Sequence, residues 1–251
     1  MKTFIFGLAL FLASDVVAKP LTGSRVSDFA PENDLWKEDN VGFVANVDED
    51  MFKAIIEIAK EIYAPTAKQW NETLVINGLW TDSTVNANAS RDMKGWTEIN
   101  MYGGLARRKE VIPYGFALVL CHELNHLYGG APYVEPSLYL AAEGQSDFSG
   151  AGWCLKNIVD RLGYMDDITV TEYMARVCGK DLNCVGRLAA ANSLGGLLSV
   201  LSGDRAPNLE TPDPLVVKKT NVSYPKTTQC RVDTYLNGVL GKDRPLCWFK
   251  P

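Results

Sequence analysis

The sequence predicts an α+β domain that is mainly helical, contains a small sheet of about three strands and is stabilised by disulfides. Three observations support this fold class. Apolar residues recur at helical spacing in several long segments, three short strand-like runs follow one another in the first half of the chain, and there are six cysteines. A length of 251 residues, 47% of them hydrophobic and 22% charged, is ordinary for a globular protein, and we expect residues 48–251 to form a single domain.

The first 18 residues have the features of a secretory signal sequence. Lys2 supplies a positive charge, residues 4–13 are almost entirely apolar, and the run that ends at Ala18 provides a cleavage site. A buried N-terminal helix is the alternative interpretation. Removal of the signal would leave a secreted or periplasmic protein with no stable membrane insertion, beginning with an irregular segment over residues 19–47.

The six cysteines are expected to form disulfides, because an even number of cysteines in an exported chain is typical of a disulfide framework. Free buried thiols are the alternative, and none of the spacings matches the paired CxxC of a structural zinc site. We expect Cys178–Cys184 to close a short loop and Cys230–Cys247 to attach the C-terminal tail. The third predicted pair, Cys121–Cys154, joins two helices.

The first half of the domain is predicted to be a helix followed by strands. Apolar residues recur at helical spacing from about Asp48 up to Pro65, where the proline favours the end of the helix. Three runs with strand character come next and are separated by polar turns, over residues 74–80, 84–90 and 96–102.

The second half of the domain is predicted to be helical. A helix from Pro113 to Tyr128 begins at a proline, which suits the first position of a helix, and stops at Gly129. Another helix begins at Pro136 and extends as far as Leu162, and small residues in its middle allow another backbone to approach closely. Three further helices are expected over residues 170–178, 185–203 and 228–240. A proline-rich loop is expected over residues 204–227, before the last of these helices.

The two histidines of the chain, His122 and His126, stand four residues apart in the predicted helix that ends at Tyr128. Residues at this spacing project from one face of a helix, and two imidazoles placed in this way can bind one zinc ion at about 2.0–2.1 Å. Glu123 lies beside the first histidine and completes an HExxH motif, in which the glutamate acts as a general base. An unrelated pair of core or surface histidines is the alternative.

A catalytic zinc site needs a third protein ligand, and the chain has no third histidine. Glu143 and Asp147 are also four residues apart, in the next predicted helix. We expect Glu143 to bind the metal and Asp147 to accept a hydrogen bond from a metal-binding histidine. A solvated acidic face is the alternative, although the alanines and the glycine beside Glu143 indicate a face that packs closely.

These motifs resemble those of the gluzincin metallopeptidases, which combine HExxH on one helix with ExxxD on the next. Sixteen residues separate His126 from Glu143, near the usual gluzincin spacing. Weaker elements extend the resemblance to the HtpX-like and CAAX-prenyl-protease family. They are an N-A-x-A element at residues 86–89, a glycine-leucine element at residues 104–106, and Tyr224-Pro225 followed by Arg231.

The resemblance implies a zincin-like fold and hydrolysis of peptide bonds in a protein or peptide substrate, with one zinc ion as cofactor. Zinc would be held by His122, His126 and Glu143, and Glu123 would take a proton from the attacking water. The developing oxyanion needs a further donor, for which the candidates are Tyr173, Tyr224 and Arg231.

The chain departs from this family in three respects, one of which is the run Ser90-Arg91-Asp92 where the family has a glycine-rich PGG. It has no counterpart of the transmembrane segments, so it resembles a soluble, exported branch, and it has Tyr224 where the family has a histidine. An edge strand from residues 84–90 or 96–102 would be able to bind an extended substrate by strand addition, but an ordinary surface strand is equally consistent with these runs.

Three other functions are compatible with the sequence. They are a non-catalytic zinc-binding adaptor or chaperone on a peptidase scaffold, a hydrolase of cell-wall peptides, and a disulfide-stabilised surface binding protein whose histidines are incidental. Glu123 argues against the first, because a non-catalytic site need not keep a general base. A net charge of −5, without a block of like charge, gives no indication of a nucleic-acid partner.

Overall fold

The sheet organises the N-terminal half of an α+β fold. The computed structural model describes residues 25–35, 45–165 and 168–251, so the predicted signal sequence lies outside the described residues. Among the described residues, four strands form the main sheet in the order β1-β3-β4-β2, and only β2 and β4 are parallel. These strands are β1 (Arg25–Asp28), β2 (Thr73–Leu79), β3 (Ala87–Arg91) and β4 (Trp96–Tyr102).

Three of the four strands lie close to the predicted runs, but β1 falls in the segment 19–47 that was expected to be irregular. Four residues are too few to show the alternation that marks a strand in a sequence. This strand forms because the edge of β3 offers unpaired backbone groups, and it pairs antiparallel with that edge from Arg25 opposite Arg91 to Asp28 opposite Asn88.

Helix α1 (Glu49–Gln69) precedes β2 and begins where Asp48 accepts a hydrogen bond from the backbone of Met51 at 2.8 Å. The expectation that this helix ends at Pro65 is wrong. Pro65 is exposed, and the buried side of the helix continues beyond it to Ala67. Packing of this continuing side therefore outweighs the loss of one helical hydrogen bond at the proline.

Helix α3 (Pro113–Tyr128) has the predicted bounds and forms the centre of the core. It follows the short helix α2 (Gly103–Ala106), starts at a proline and ends at Gly129. Every residue from Tyr114 to Leu127 is buried, because α3 is covered by strand β3 on one side and by helices on the others. A buried central helix places the polar side chains of its HExxH motif in the interior.

The segment after α3 differs from its prediction. The expected helix from Pro136 is only a single 3-10 turn, because Tyr139 adopts a left-handed φ of 52° that ends it. A two-stranded sheet flanks this turn. The long helix begins at Glu143 instead of Pro136, and it ends before Gly163 as predicted. The elements are β5 (Tyr133–Glu135), β6 (Leu140–Ala141), α4 (Glu143–Ser149), a π-helical turn (Gly150–Cys154) and α5 (Leu155–Leu162).

The C-terminal helices lie close to their predicted positions, and the proline-rich loop before the last one is confirmed. One of these helices, α7, is long and apolar enough to cross a membrane, but 67% of its apolar stretch is buried inside the fold, as in a core helix. The bounds are α6 (Glu172–Cys178), α7 (Leu182–Ser202) and α8 (Thr228–Leu240).

All three predicted disulfides are present. They pair Cys121 with Cys154, Cys178 with Cys184, and Cys230 with Cys247, which leaves no free cysteine in the chain. Three disulfides indicate a protein that matures in an oxidising, extracellular environment.

Candidate metal centre

Helices α3 and α4 bring His122, His126 and Glu143 together in the interior. The two Nε2 atoms lie 2.9 Å apart. Oε2 of Glu143 lies 3.3 Å from the Nε2 of His122, and Oε1 of Glu143 lies 3.6 Å from the Nε2 of His126. One ligand atom from each residue lies within 4.8 Å of the others. This group could hold a metal ion, as the sequence predicted.

The hydrogen-bond partners of the two rings fix their tautomers. His126 Nδ1 lies 2.8 Å from the carbonyl oxygen of Ala141, which only accepts, so this nitrogen carries a proton. His122 Nδ1 lies 2.7 Å from the Asp147 carboxylate and donates in the same way. Neutral rings in these tautomers direct both Nε2 lone pairs towards each other, and they repel unless a proton or a metal cation lies between them.

Neighbouring positive groups keep Glu143 and Asp147 ionised despite their burial. Burial would raise the pKa of the Glu143 carboxyl, but the imidazoles of His126 and His122 hold it well below its usual value. Burial likewise opposes ionisation of Asp147, whose pKa is nevertheless lowered by Arg231 and His122. Burial also opposes protonation of His122, but Asp147 and Glu143 outweigh it and raise the pKa of this ring to about 9. The centre is therefore built to hold positive charge.

Arg231 fixes the position of Asp147. It comes from α8 and forms a two-pronged ion pair, with Nε 2.9 Å from one carboxylate oxygen and Nη2 2.8 Å from the other. Its remaining Nη1 donates to the carbonyl oxygen of Phe29 at 3.0 Å. A planar guanidinium held at both edges orients the carboxylate, which in turn orients the ring of His122.

Glu123 is buried, and neither of its carboxylate oxygens has a hydrogen-bond partner among the described residues. Burial, the largest influence, raises its pKa well above the usual value. A buried carboxylate without partners is costly, at roughly 1–3 kcal/mol or more, so its presence beside two metal-binding imidazoles fits a site that binds a further polar ligand such as water. The residues of the centre therefore fit a metal ion that carries a further polar ligand.

Small residues and a disulfide allow α3 and the following helix to approach each other. A side chain at Gly150 would lie 3.0 Å from the carbonyl oxygen of Cys121 and 3.1 Å from the backbone nitrogen of His122. The Cys121–Cys154 disulfide joins the same two segments. This confirms the predicted role of the small residues, and it explains how ligands from two helices converge.

The three oxyanion candidates are placed differently. Arg231 and Tyr224 lie at the centre, and the charges of Glu143 and Arg231 both act on the Tyr224 hydroxyl, which donates to the carbonyl oxygen of Asp28 at 2.7 Å. The structure does not bring Tyr173 there. Among the described residues, the ring of Tyr173 contacts the guanidinium of Arg176. The charges that act on its hydroxyl are those of Arg176, Glu210 and Asp233, none of which belongs to the metal centre.

Sequence reasoning missed the contribution of the N-terminal segment. The ring of Phe29 stands perpendicular to that of His122, with 5.5 Å between centroids, and both Phe29 and Ala30 are fully buried. The only local signal was an apolar pair, Phe29-Ala30, between a polar run and Pro31. Sequence reasoning also missed Arg91, which pairs with Glu72 at 2.8 Å and donates to the carbonyl oxygen of Leu127 at the end of α3.

Comparisons of the chain with models of known protein families, with curated proteins and with solved structures found no match.

Proposed function

We propose that this chain is an exported zinc metalloendopeptidase with a zincin-like fold. The observation that carries the proposal is the convergence of His122, His126 and Glu143 on one point beside Glu123, a buried carboxylate with no hydrogen-bond partner among the described residues. A purely structural metal site has no need of a further acidic residue beside its three ligands, whereas hydrolysis requires a base next to the reacting water.

Zinc is the metal that best suits the donor set. Two imidazoles and one carboxylate are a common catalytic zinc set, and three protein ligands leave one position for water or substrate. When bound, zinc lowers the pKa of water towards 7 and polarises the carbonyl group of the substrate. His122, His126 and Glu143 would hold it, while Asp147 and the carbonyl of Ala141 fix the two rings by accepting their Nδ1 protons.

The role of Glu123 is to move a proton. Its pKa is raised by burial, so the carboxylate is a stronger base than an exposed glutamate and accepts a proton from the attacking water more readily. The protonated side chain then passes this proton to the nitrogen of the leaving amine. Both carboxylate oxygens are free of other hydrogen bonds among the described residues, which leaves them available for both transfers.

Tyr224 is the stronger of the two oxyanion candidates at the centre. The guanidinium of Arg231 is engaged by Asp147 on one edge and by the carbonyl of Phe29 on another, whereas the hydroxyl of Tyr224 already donates to a peptide carbonyl, that of Asp28. A phenol in this position is suited to donate to the carbonyl oxygen of a substrate as negative charge develops on it.

The Glu123→Gln variant tests this proposal, with Glu57→Gln on the exposed side of α1 as a matched control. We expect Glu123→Gln to retain one zinc ion per chain and to lose casein hydrolysis by about 10²–10⁴-fold, the usual contribution of a general base. Glu57→Gln should behave as the parent protein does. Equal activity of the parent protein and Glu123→Gln would reject Glu123 as the base, and retention of zinc by His126→Ala would reject the ligand assignment.

A further inference from the structure

The segment that follows strand β1 continues along the edge of β3 and reaches the metal centre. Asp28 lies opposite Asn88 in the antiparallel ladder, and the backbone nitrogen of Phe29 then donates to the carbonyl oxygen of Ala87 at 2.9 Å. Addition of an extended strand to a sheet edge is a common way for proteins to bind peptides. In this chain the added strand belongs to the protein itself.

Asn86 holds the next residue of this segment by its main chain. The backbone nitrogen of Ala30 donates to the side-chain oxygen of Asn86 at 3.1 Å, and the side-chain nitrogen of Asn86 donates to the carbonyl oxygen of Ala30 at 3.0 Å. Asn86 is itself buried. A buried amide that contacts both polar groups of one peptide residue recognises the backbone of an extended peptide whatever its side chain.

The carbonyl groups of the segment are all bound by the body of the protein. Those of Asp28, Phe29 and Ala30 accept hydrogen bonds from Tyr224, Arg231 and Asn86, respectively. Two of these three donors come from the C-terminal region of the chain and one from the loop before β3. Together with the edge of β3, these donors contact the segment as a groove for an extended peptide backbone would.

The segment also covers the metal centre. The ring of Phe29 lies between the ring of His122, at 5.5 Å, and the guanidinium of Arg231, at 4.8 Å. The charges of Glu143 and His126 act on the neighbouring Asp28 carboxyl, so this residue lies within electrostatic reach of the ligands. His122, Glu123 and His126 are fully buried, and Phe29 is part of what covers them, so displacement of the segment would uncover this side of the centre.

We propose that residues 28–30 are an intramolecular inhibitor that occupies the peptide-binding groove of the metal centre, an inference that rests on the proposed peptidase function. A tethered segment competes at an effective concentration of about a millimolar, so a free peptide at micromolar concentration is largely excluded. The peptidase is therefore held in a low-activity state until residues 28–30 are displaced or removed.

Two variants that loosen the segment test this proposal. Phe29→Ala removes the ring against His122, and Ala30→Pro removes the nitrogen donor to Asn86. Glu32→Ala, an exposed change in the same segment, is the matched control. Binding of fluorescein-labelled casein is measured by fluorescence anisotropy in the Glu123→Gln background, which prevents cleavage, and hydrolysis of casein is measured without that change.

We expect Phe29→Ala and Ala30→Pro to bind casein at least about tenfold more tightly and, with zinc, to hydrolyse it at least about tenfold faster than the parent protein, because the tethered competitor is weakened. Glu32→Ala should match the parent. Unchanged or weaker binding of casein in both loosened variants would overturn the proposal. Tighter binding without hydrolysis in any variant would support the segment as the occupant of the groove and reject the peptidase function alone.

Discussion

The carboxylate of Asp147 accepts a hydrogen bond from His122 Nδ1 at 2.7 Å on Oδ1, and Arg231 donates to both of its oxygens. This relationship connects three helices, because His122 lies on α3, Asp147 on α4 and Arg231 on α8. All three side chains are buried, so solvent screens their interactions little. The orientation of a metal-binding ring is thereby tied to the packing of the fold.

Asp147→Asn should weaken zinc binding by about 10–100-fold, the usual effect of losing the partner of a metal-binding histidine. An asparagine carries no charge and accepts on one oxygen only, so it holds the ring of His122 less firmly. Competition with a chromophoric chelator measures the affinity. The same substitution at Asp160, which is exposed and pairs with Lys156, should leave zinc affinity unchanged, and an equal effect at both positions would contradict the role of Asp147.

Arg231→Met should lower the free energy of unfolding by about 3–5 kcal/mol, because it leaves the Asp147 carboxylate buried without its cation. Arg161→Met is the matched control, since Arg161 forms an exposed ion pair with Glu61 and its loss should cost at most about 1 kcal/mol. Urea denaturation of the two variants gives the comparison. Similar losses of unfolding free energy in the two variants would show that the buried charge of Asp147 is not stabilised by Arg231.

Zinc affinity should fall as the pH is lowered. In the metal-free protein the pKa of His122 is raised to about 9, so below this pH a proton must leave the ring before a metal binds. The apparent affinity should therefore rise about tenfold for each pH unit up to about 9 and change little above it. Titrations at several pH values test the slope, and an affinity that does not depend on pH between 6 and about 9 would contradict the assignment of His122 as a ligand.

The Cys121–Cys154 disulfide should stabilise the fold more than the Cys178–Cys184 disulfide does. Loop closure predicts losses of about 3.7 and 2.2 kcal/mol when each pair is replaced by serines, because the first disulfide closes a much longer loop. The first replacement should also weaken zinc binding, since Cys121 directly precedes His122. Urea denaturation and zinc titration of both double variants make the comparison, and a larger stability loss for the Cys178–Cys184 pair would contradict it.

The candidate metal ligands were predictable because their spacing is local. His122 and His126 share a helix face, and Glu143 and Asp147 repeat the same spacing in the next helix. The start of that helix was misplaced at Pro136, because the left-handed conformation of Tyr139 has no clear signal in the sequence. Local periodicity thus predicts which side chains share a face, but it is less informative about where a helix begins.

The contributions of distant segments were not predictable. Strand β1 depends on pairing with β3, far along the chain, and four residues carry no period of their own. For the same reason, the sequence could not show which oxyanion candidate lies at the centre. Tyr173 lies away from it and a loop brings Tyr224 to it, but nothing in their local sequences distinguishes the two tyrosines. Long-range pairing and loop placement are set by packing rather than by sequence pattern.

Anomalous diffraction at the zinc absorption edge, from crystals grown with zinc, would show whether His122, His126 and Glu143 bind one zinc ion. We expect a single strong peak about 2.0–2.2 Å from the Nε2 atoms of His122 and His126 and from a carboxylate oxygen of Glu143. A zinc-loaded crystal with no peak at this position, or with the ion held by other residues, would contradict it.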